Sequence, residues 1–347
     1  MSYYFNLPLI TELTLDQQRA VDETNPLALS GGPGTGKSVV SLWRHIRNHS
    51  TGLRNSLLLT YTKTLEHYLR ASANTQDESA GNNIDRVFWW LSHNAKNYDE
   101  IIIDEGQDIK RETFQRYFNY TNRISYGADE KQIMFITQEE WTELKNWFDI
   151  DIRFENNRTY GTIELQRNFR NSREILLFTR SVFPLRLIRQ TTINGATTTG
   201  LKPIMKLNIG REVEEQVDAI IDIINDFQSD THNIAILVPT VPKVNNYFQQ
   251  IRNKLDDSIE VTKYQNELDD FQGLSGVHIT TFKSSKGTEF DTVIVPEFDQ
   301  FNWNIQNLYI VNEDDYYVVF TRTKTNLFLL CKNNYPNIGD ANTVTIE

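Results

Sequence analysis

The run Leu27-Ala-Leu-Ser-Gly-Gly-Pro-Gly-Thr-Gly-Lys-Ser-Val-Val40 constrains the chain more than any other stretch. An apolar strand leads into a glycine-rich turn, and a helix starts at its end. Gly31, Gly36, Lys37 and Ser38 fit G-x-x-x-x-G-K-[ST], the P-loop. Glycines at 31, 32, 34 and 36 admit backbone angles closed to side chains, so successive N–H groups, that of Thr35 among them, can wrap a phosphate chain. The helix that follows points its positive end at the same phosphates. Lys37 is expected at the β- and γ-phosphates and the Ser38 hydroxyl on Mg2+.

A second stretch, Asp99-Glu-Ile-Ile-Ile-Asp-Glu-Gly-Gln-Asp108, complements the first. Its isoleucines predict a buried strand that delivers Asp104 and Glu105 to its carboxyl end. Ligands of open parallel α/β sheets bind at those ends. Asp104 is suited to holding Mg2+ and Glu105 to accepting a proton from an attacking water. Ahead of the P-loop, Leu13–Val21 predicts a helix with Thr14 as N-cap. Gln17 on it carries an amide that both donates and accepts, which suits an adenine edge and favours ATP.

Strands alternate with helices along the rest of the chain. Strands are expected at 56–61, 124–135, 162–165, 203–207, 233–238, 277–281, 292–296 and 326–331. Helices are expected at 39–49, 62–70, 211–227, 244–254 and 314–324, with a polar helix beginning at Glu139 and another after Ser172. Residues 71–83 are small and polar and predict an exposed loop. Val87-Phe-Trp-Trp-Leu91 predicts core packing. The pattern amounts to two parallel-sheet α/β domains, 1–160 and 161–347.

Composition narrows the class. The 347 residues are 39% hydrophobic and 23% charged, which suits a folded globular chain. No apolar run approaches the length of a membrane span, and the N-terminus lacks the pattern of a signal peptide. One cysteine, Cys331, leaves no intramolecular disulfide, and a reducing, cytoplasmic setting is the expectation. Six scattered histidines predict no zinc site. The net charge of −11 argues against broad attraction to nucleic acid, though it allows a local basic groove.

The order of these stretches resembles that of UvrD/Rep-like superfamily I DNA helicases. Leu13–Val21, the P-loop, Asp104–Asp108, Gly127–Gln132, Leu165–Arg170, Thr281–Glu289 and Val318–Thr323 follow the motor motifs in sequence, over nearly the whole chain. The resemblance implies two tandem RecA-like domains with ATP and Mg2+ in the cleft between them. It implies that Gln17 reads adenine, that Lys37 and Ser38 serve phosphate and metal, and that Asp104 and Glu105 are the metal-binding and catalytic acids. Gln132 resembles the γ-phosphate sensor, Arg170 and Arg322 the two arginine fingers, and Gly287 and Glu289 the pair that approaches phosphate and ribose. Tyr61 stands where such motors stack a base, and Lys63 and Lys283 are placed to meet nucleic-acid phosphates.

The departures are specific. Ile133-Met-Phe-Ile-Thr137 stands where a tryptophan-arginine-glycine run is usual, Lys283 where histidine is common, and Thr288 where leucine is usual. Residues 62–103 and 239–276, where the accessory domains of full-length relatives are inserted, are too few for a domain with its own core. The resemblance therefore implies a stripped motor. One reading is an ATP-driven translocase or helicase on single-stranded nucleic acid, DNA favoured. The other is an ATPase or nucleotide switch within a larger assembly, such as a nuclease-containing defence complex, whose protein partner supplies the missing surfaces. A small-molecule kinase is disfavoured, since it has no use for Gln132, Arg170 and Arg322 in that order.

Overall fold

The computed structural model describes residues 7–129, 132–133, 136–147, 161–186, 188–209, 213–264, 275–332, 336 and 339–347. The chain divides into two units, with Phe5–Arg167 forming one and Asn168–Glu347 the body of the other. The division falls after residue 167 rather than after 160, because the strand Gly161–Leu165 pairs with the P-loop strand.

The first unit runs α1 (Leu15–Asp22), β1 (Leu27–Gly31), α2 (Lys37–Ser50), β2 (Ser56–Thr60), α3 (Lys63–Asn74), α4 (Glu78–Asn82), β3 (Ile84–Arg86) and α5 (Val87–His93). It continues with β4 (Glu100–Ile103), α6 (Arg111–Tyr117), β5 (Ile124–Ala128), α7 (Gln138–Trp147) and β6 (Gly161–Leu165). Its strands form one sheet in the order β3-β2-β4-β5-β1-β6, every pairing parallel. Parallel strands are covered on both faces, which is why β2 and β4 are buried along their whole length. Leu57, Leu59, Ile101 and Ile103 alternate onto one face, against Trp90, Phe114 and Tyr117.

Two expectations fail in this unit. Residues 71–83 are not an exposed loop. Helix α3 runs on to Asn74 and α4 follows, with Ala73 and Ala80 fully buried. Small side chains there serve close packing: an added Cβ on Gly81 would collide with the Asn74 side chain. Residues 87–91 are core only in part. Val87, Trp90 and Leu91 are buried, whereas Phe88 and Trp89 are 49% and 46% exposed. A helix with apolar residues all round has one face left outside.

The amino ends of β1, β4 and β5 are held by a buried polar cluster. Arg44 of α2 is 2% exposed, and its Nε donates to the carboxylate of fully buried Glu100 at 2.9 Å. Its other nitrogens donate to the carbonyls of Glu23 and Asn25, just before β1. Asn48 and Ser125 donate to the same carboxylate, and Ser125 Oγ accepts from the Leu27 N–H. A buried charge without its partner is costly. Arg44→Met is expected to destabilise the first unit by about 3–5 kcal/mol, and adding Glu100→Leu to recover most of the loss. Urea denaturation of the two variants checks both values.

The second unit runs α8 (Arg173–Val182), α9 (Gln190–Gly195), β7 (Ile204–Lys206), α10 (Val213–Phe227), β8 (Ile234–Val238), α11 (Val241–Lys254) and β9 (Val261–Tyr264). Then come β10 (Val277–Thr281), β11 (Phe290–Val295), α12 (Phe301–Asn307), α13 (Glu313–Thr321), β12 (Thr323–Leu330) and β13 (Thr345–Ile346). The sheet order is β13-β7-β12-β11-β8-β10-β9, again wholly parallel. Period-two alternation splits the strand residues between two cores. Ala235, Leu237, Val293, Val295, Leu327 and Leu329 face one way, and Ile234, Ile236, Ile294, Phe328 and Leu330 the other. Cys331 is buried just past β12.

The chain is thus an α/β protein of two tandem parallel-sheet units, the RecA-like class. Among the described residues no helix is long and apolar enough to cross a membrane. Among the described residues, the stretch 62–103 carries α3, α4, β3, α5 and β4, and the stretch 239–276 carries α11 and β9, residues 265–274 lying outside the described ones.

Candidate nucleotide site

The turn after β1 needs its glycines at two points. Gly36 caps α2 with φ +88°, and a Cβ there would lie 2.5 Å from the Gln17 amide nitrogen. A Cβ on Gly31 would meet Thr35 Oγ1 at 2.6 Å and the Leu165 carbonyl at 2.7 Å. Gly34 also has positive φ, and Gly32 faces open space. Thr35 ties the loop internally, its hydroxyl donating to the Gly32 carbonyl at 2.9 Å. Lys37 opens α2 and folds over the loop, its ammonium 2.9 Å from the carbonyls of Gly31 and Gly32.

Gln17 lies under this loop rather than beside open space. It is 5% exposed. Its Oε1 accepts from the Thr14 N–H at 2.9 Å in a capping box, and its Nε2 donates to the Thr35 carbonyl at 3.1 Å. One N–H and one lone pair of the amide thus brace the P-loop, and one of each is left over.

Strand β5 lies between β4 and β1 and brings their carboxyl ends together. Gly127 on β5 makes the approach close: a Cβ there would stand 3.4 Å from Asp104 Oδ1 and 3.7 Å from Lys37 Cβ. Asp104 is 1% exposed. Burial, and then the adjacent Glu105, push its carboxyl above the usual range, against the opposing pull of Ser38 and Lys37. Asp104 Oδ2 is buried with no hydrogen-bond partner.

Glu105 is a non-glycine residue in the left-handed region, with φ 59° and ψ 40°, and is 7% exposed. Such backbone costs about 1–3 kcal/mol and persists where its surroundings over-determine it. Gln107 ties down the Glu105 side chain. Its Nε2 donates to Glu105 Oε2 at 2.5 Å, and its Oε1 accepts the Asp129 N–H at 3.0 Å. Asp129, 4% exposed at the end of β5, stands 3.8 Å from the Lys37 ammonium. Gln132 is 3% exposed, and its N–H donates to the Asp129 carbonyl at 2.9 Å. Gln107 and Asp129 had no role in the sequence reading. Gln107 stood inside the acidic motif, where a fully buried amide is its only signal.

In the second unit Arg170, Gly287, Glu289 and Arg322 also come together. Arg170 Nε donates to Glu289 Oε2 at 2.8 Å, and Lys324 lies 3.1 Å from Glu289 Oε1. Burial alone would raise this carboxyl, but Arg170 and Lys324 outweigh it and hold it down to about 2. Gly287 takes φ +82° and turns the chain between Thr288 and the 3-10 turn at Lys283–Ser285. Arg322, at the end of α13, is 1% exposed, with Nε donating to the Val318 carbonyl and Nη1 to that of Thr288, both at 3.2 Å. Glu289 is therefore an anchor for Arg170 here, and Arg322 is packed beneath the Gly287–Glu289 turn rather than held out from it.

No protein-family model and no curated protein matches the chain. Among solved structures it is similar to the C-terminal domain of a possible DNA helicase from Lactobacillus plantarum WCFS1, at 20% identity and a TM-score of 0.38, over 51% of this chain and 98% of that one. It is also similar to arterivirus nonstructural protein 10, a helicase, at 12% identity and a TM-score of 0.41, over 91% of this chain and 61% of that one. These are likenesses of fold.

The donor set of the first unit fits a magnesium nucleotide. Mg2+ takes oxygen ligands and is usually held by one or two carboxylates, water and substrate phosphates. Asp104 supplies a buried, unpartnered carboxylate oxygen, and Ser38, the second residue of α2, supplies a hydroxyl. Among the described residues no group of three or more His, Cys, Asp or Glu makes a dedicated metal cage.

The residues read as nucleic-acid contacts are more dispersed. Tyr61 follows β2 and packs edge-on to Phe88 at 5.7 Å. Lys63 opens α3 behind the N-cap Thr62. Lys283, in the second unit, stands 3.8 Å from Asp315, a carboxyl pushed up to about 6 by burial against the pull of Lys283.

Proposed function

We propose that the protein is an ATP-hydrolysing motor of the UvrD/Rep-like superfamily I kind, working on single-stranded nucleic acid, with DNA the favoured track. The observation that carries this reading is the catalytic corner of the first unit. A P-loop lysine, a buried acid with an unpartnered oxygen, and a strained glutamate fixed by Gln107 share one sheet edge.

The roles follow from the positions. The loop Gly31–Ser38 holds the phosphates, and Lys37 leaves the Gly31 and Gly32 carbonyls to meet the β/γ-oxygens. Ser38 and Asp104 would hold Mg2+, which would neutralise phosphate charge when bound. Glu105 accepts a proton from the attacking water as its oxygen bonds to the γ-phosphorus, and the β–γ bridging oxygen departs with ADP. Gln132, whose N–H donates to the Asp129 carbonyl, senses the γ-phosphate. Gln17 braces the loop and reads the adenine edge with the N–H and lone pair its amide has left, which favours ATP. Arg170 and Arg322 act from the second unit on the charge that develops at the γ-phosphate. Glu289 orients Arg170, and Arg322 leaves the Val318 and Thr288 carbonyls beneath the Gly287 turn to do so.

A motor must change its grip on its track during the cycle. The affinity for an oligothymidylate, measured by anisotropy, is expected to differ at least about tenfold between MgADP and a non-hydrolysable MgATP analogue, a coupling of about 1.4 kcal/mol. Equal affinity in the two states overturns translocation. The second reading, an ATPase switch in a larger assembly with a protein partner, draws on the −11 charge and on the exposed Trp303, Tyr309 and Ile310 of the second unit. It predicts hydrolysis indifferent to nucleic acid.

A further inference from the structure

We propose that Lys324 is a positioning residue for Arg170: by occupying one oxygen of Glu289, it keeps that carboxylate a guide for the guanidinium rather than a trap. The proposal rests on the motor reading above, in which Arg170 serves the γ-phosphate, and adds a residue to that machinery.

Lys324 is placed by an irregularity between β11 and β12. Phe290 pairs with Thr323, but Thr292 pairs with Asn326, so β12 carries one residue more than β11 between the two pairs. An extra residue of this kind re-aims a side chain. The Lys324 ammonium comes to 3.1 Å from Glu289 Oε1 and 3.7 Å from Asp291 Oδ1. Asp291 is itself fixed, its Oδ2 accepting the Asn233 N–H just before β8. The same stretch of β12 holds the loop that carries Arg170. Asn171 Nδ2 donates to the carbonyls of Thr321 and Thr323 at 3.2 and 2.6 Å, and the Ser172 N–H donates to the Lys324 carbonyl at 2.9 Å. Asn168 Oδ1 accepts the N–H groups of Arg170 and Asn171, which closes the loop on itself. The main chain of Lys324 thus sets where the Arg170 loop enters α8, and its side chain sets the carboxylate that Arg170 meets.

The chemistry of the carboxylate gives Lys324 its task. Arg170 Nε donates to Glu289 Oε2, and Lys324 takes Oε1. A carboxylate with both oxygens open draws a guanidinium into a two-bond, fork-to-fork pair, which is short and strong. Such a pair would turn the donors of Arg170 toward Glu289 and compete with a γ-phosphate for them. Lys324 on Oε1 prevents it. The ammonium also shares the carboxylate's charge. Burial alone would lift Glu289, and Arg170 and Lys324 together keep it ionised. With two cations on one carboxylate, and Asp291 farther from Lys324 than Glu289 is, part of the Arg170 charge is left for the charge that develops on phosphate.

The test is steady-state ATP turnover with parallel fluorescent-nucleotide binding, using the full chain. Lys324→Met is expected to lower kcat at least about tenfold, more than Glu289→Gln alone, and to leave nucleotide affinity within about twofold of the parent's. Lys324→Gln, which keeps a neutral donor, is the gentler variant and is expected to lose less. A cooperative thermal melt near the parent's shows each variant is folded. The deciding variant is Lys324→Met with Glu289→Gln. Removing the carboxylate removes the trap, so this double variant is expected to turn over faster than Lys324→Met alone, near the rate of Glu289→Gln. A merely structural lysine gives the opposite, losses that multiply. A double variant as slow as Lys324→Met or slower, or parental kcat in both single lysine variants, overturns the proposal while the motor reading stands. A parent that hydrolyses no ATP overturns both.

Discussion

Glu105→Gln is expected to bind MgATP as the parent does and to hydrolyse it about 100- to 10,000-fold more slowly. In the proposed mechanism the phosphates are held by Gly31–Ser38 and the metal by Ser38 and Asp104, none of which the substitution touches. What is lost is the proton acceptor for water. The left-handed backbone at 105 and the Gln107 bond to its carboxylate aim one oxygen and leave the geometry to survive in the amide. Quenched-flow hydrolysis with parallel fluorescent-nucleotide binding separates the two quantities. A variant with parental turnover places the base elsewhere, and Asp129 is the next carboxylate along the same sheet edge.

Arg170→Ala is expected to lower turnover about 1,000-fold or more, with nucleotide affinity little changed. Its guanidinium is fixed through Nε by Glu289, a carboxylate held ionised by Arg170 and Lys324 together. Lys324, 3.1 Å from Glu289, is untouched by the substitution, so the carboxylate keeps a counter-ion and the second unit is expected to keep its fold. Arg170→Lys is not expected to rescue, because an ammonium lacks the planar fork that binds carboxylate and phosphate at once. Glu289→Gln should give a smaller loss that appears in turnover rather than in nucleotide affinity. Steady-state phosphate release across ATP concentrations reads both. Parental rates in Arg170→Ala would make it a structural ion pair.

The sequence was most legible where both faces of an element are buried. Leu27–Gly31, Glu100–Ile103, Ile234–Val238 and Val277–Thr281 are short apolar runs between turn signals, and each is a central strand. The P-loop glycines were legible because their backbone geometry admits few other residues. The region 71–93 was not. Ala73, Ala80 and Gly81 are small because neighbours approach closely, and smallness without periodicity reads as loop. The five apolar residues at 87–91 give no sign of which face is outside in so short a helix. Gln17, Gln107 and Asp129 gain their partners only through folding, from residues 18 and 22 positions away. Residue types on a motif named the corner, but the bonds that orient Glu105 and brace the loop belong to the tertiary structure.

The central claim, a motor whose hydrolysis is driven by its track, is tested most directly by steady-state ATP turnover with and without saturating single-stranded DNA or RNA. Encounter with the track is expected to raise turnover at least about tenfold, equivalent to about 1.4 kcal/mol off the barrier, with Glu105→Gln silent under all conditions. Turnover that is abolished by Glu105→Gln yet unchanged by either strand would contradict the account and leave an ATPase whose work is done elsewhere.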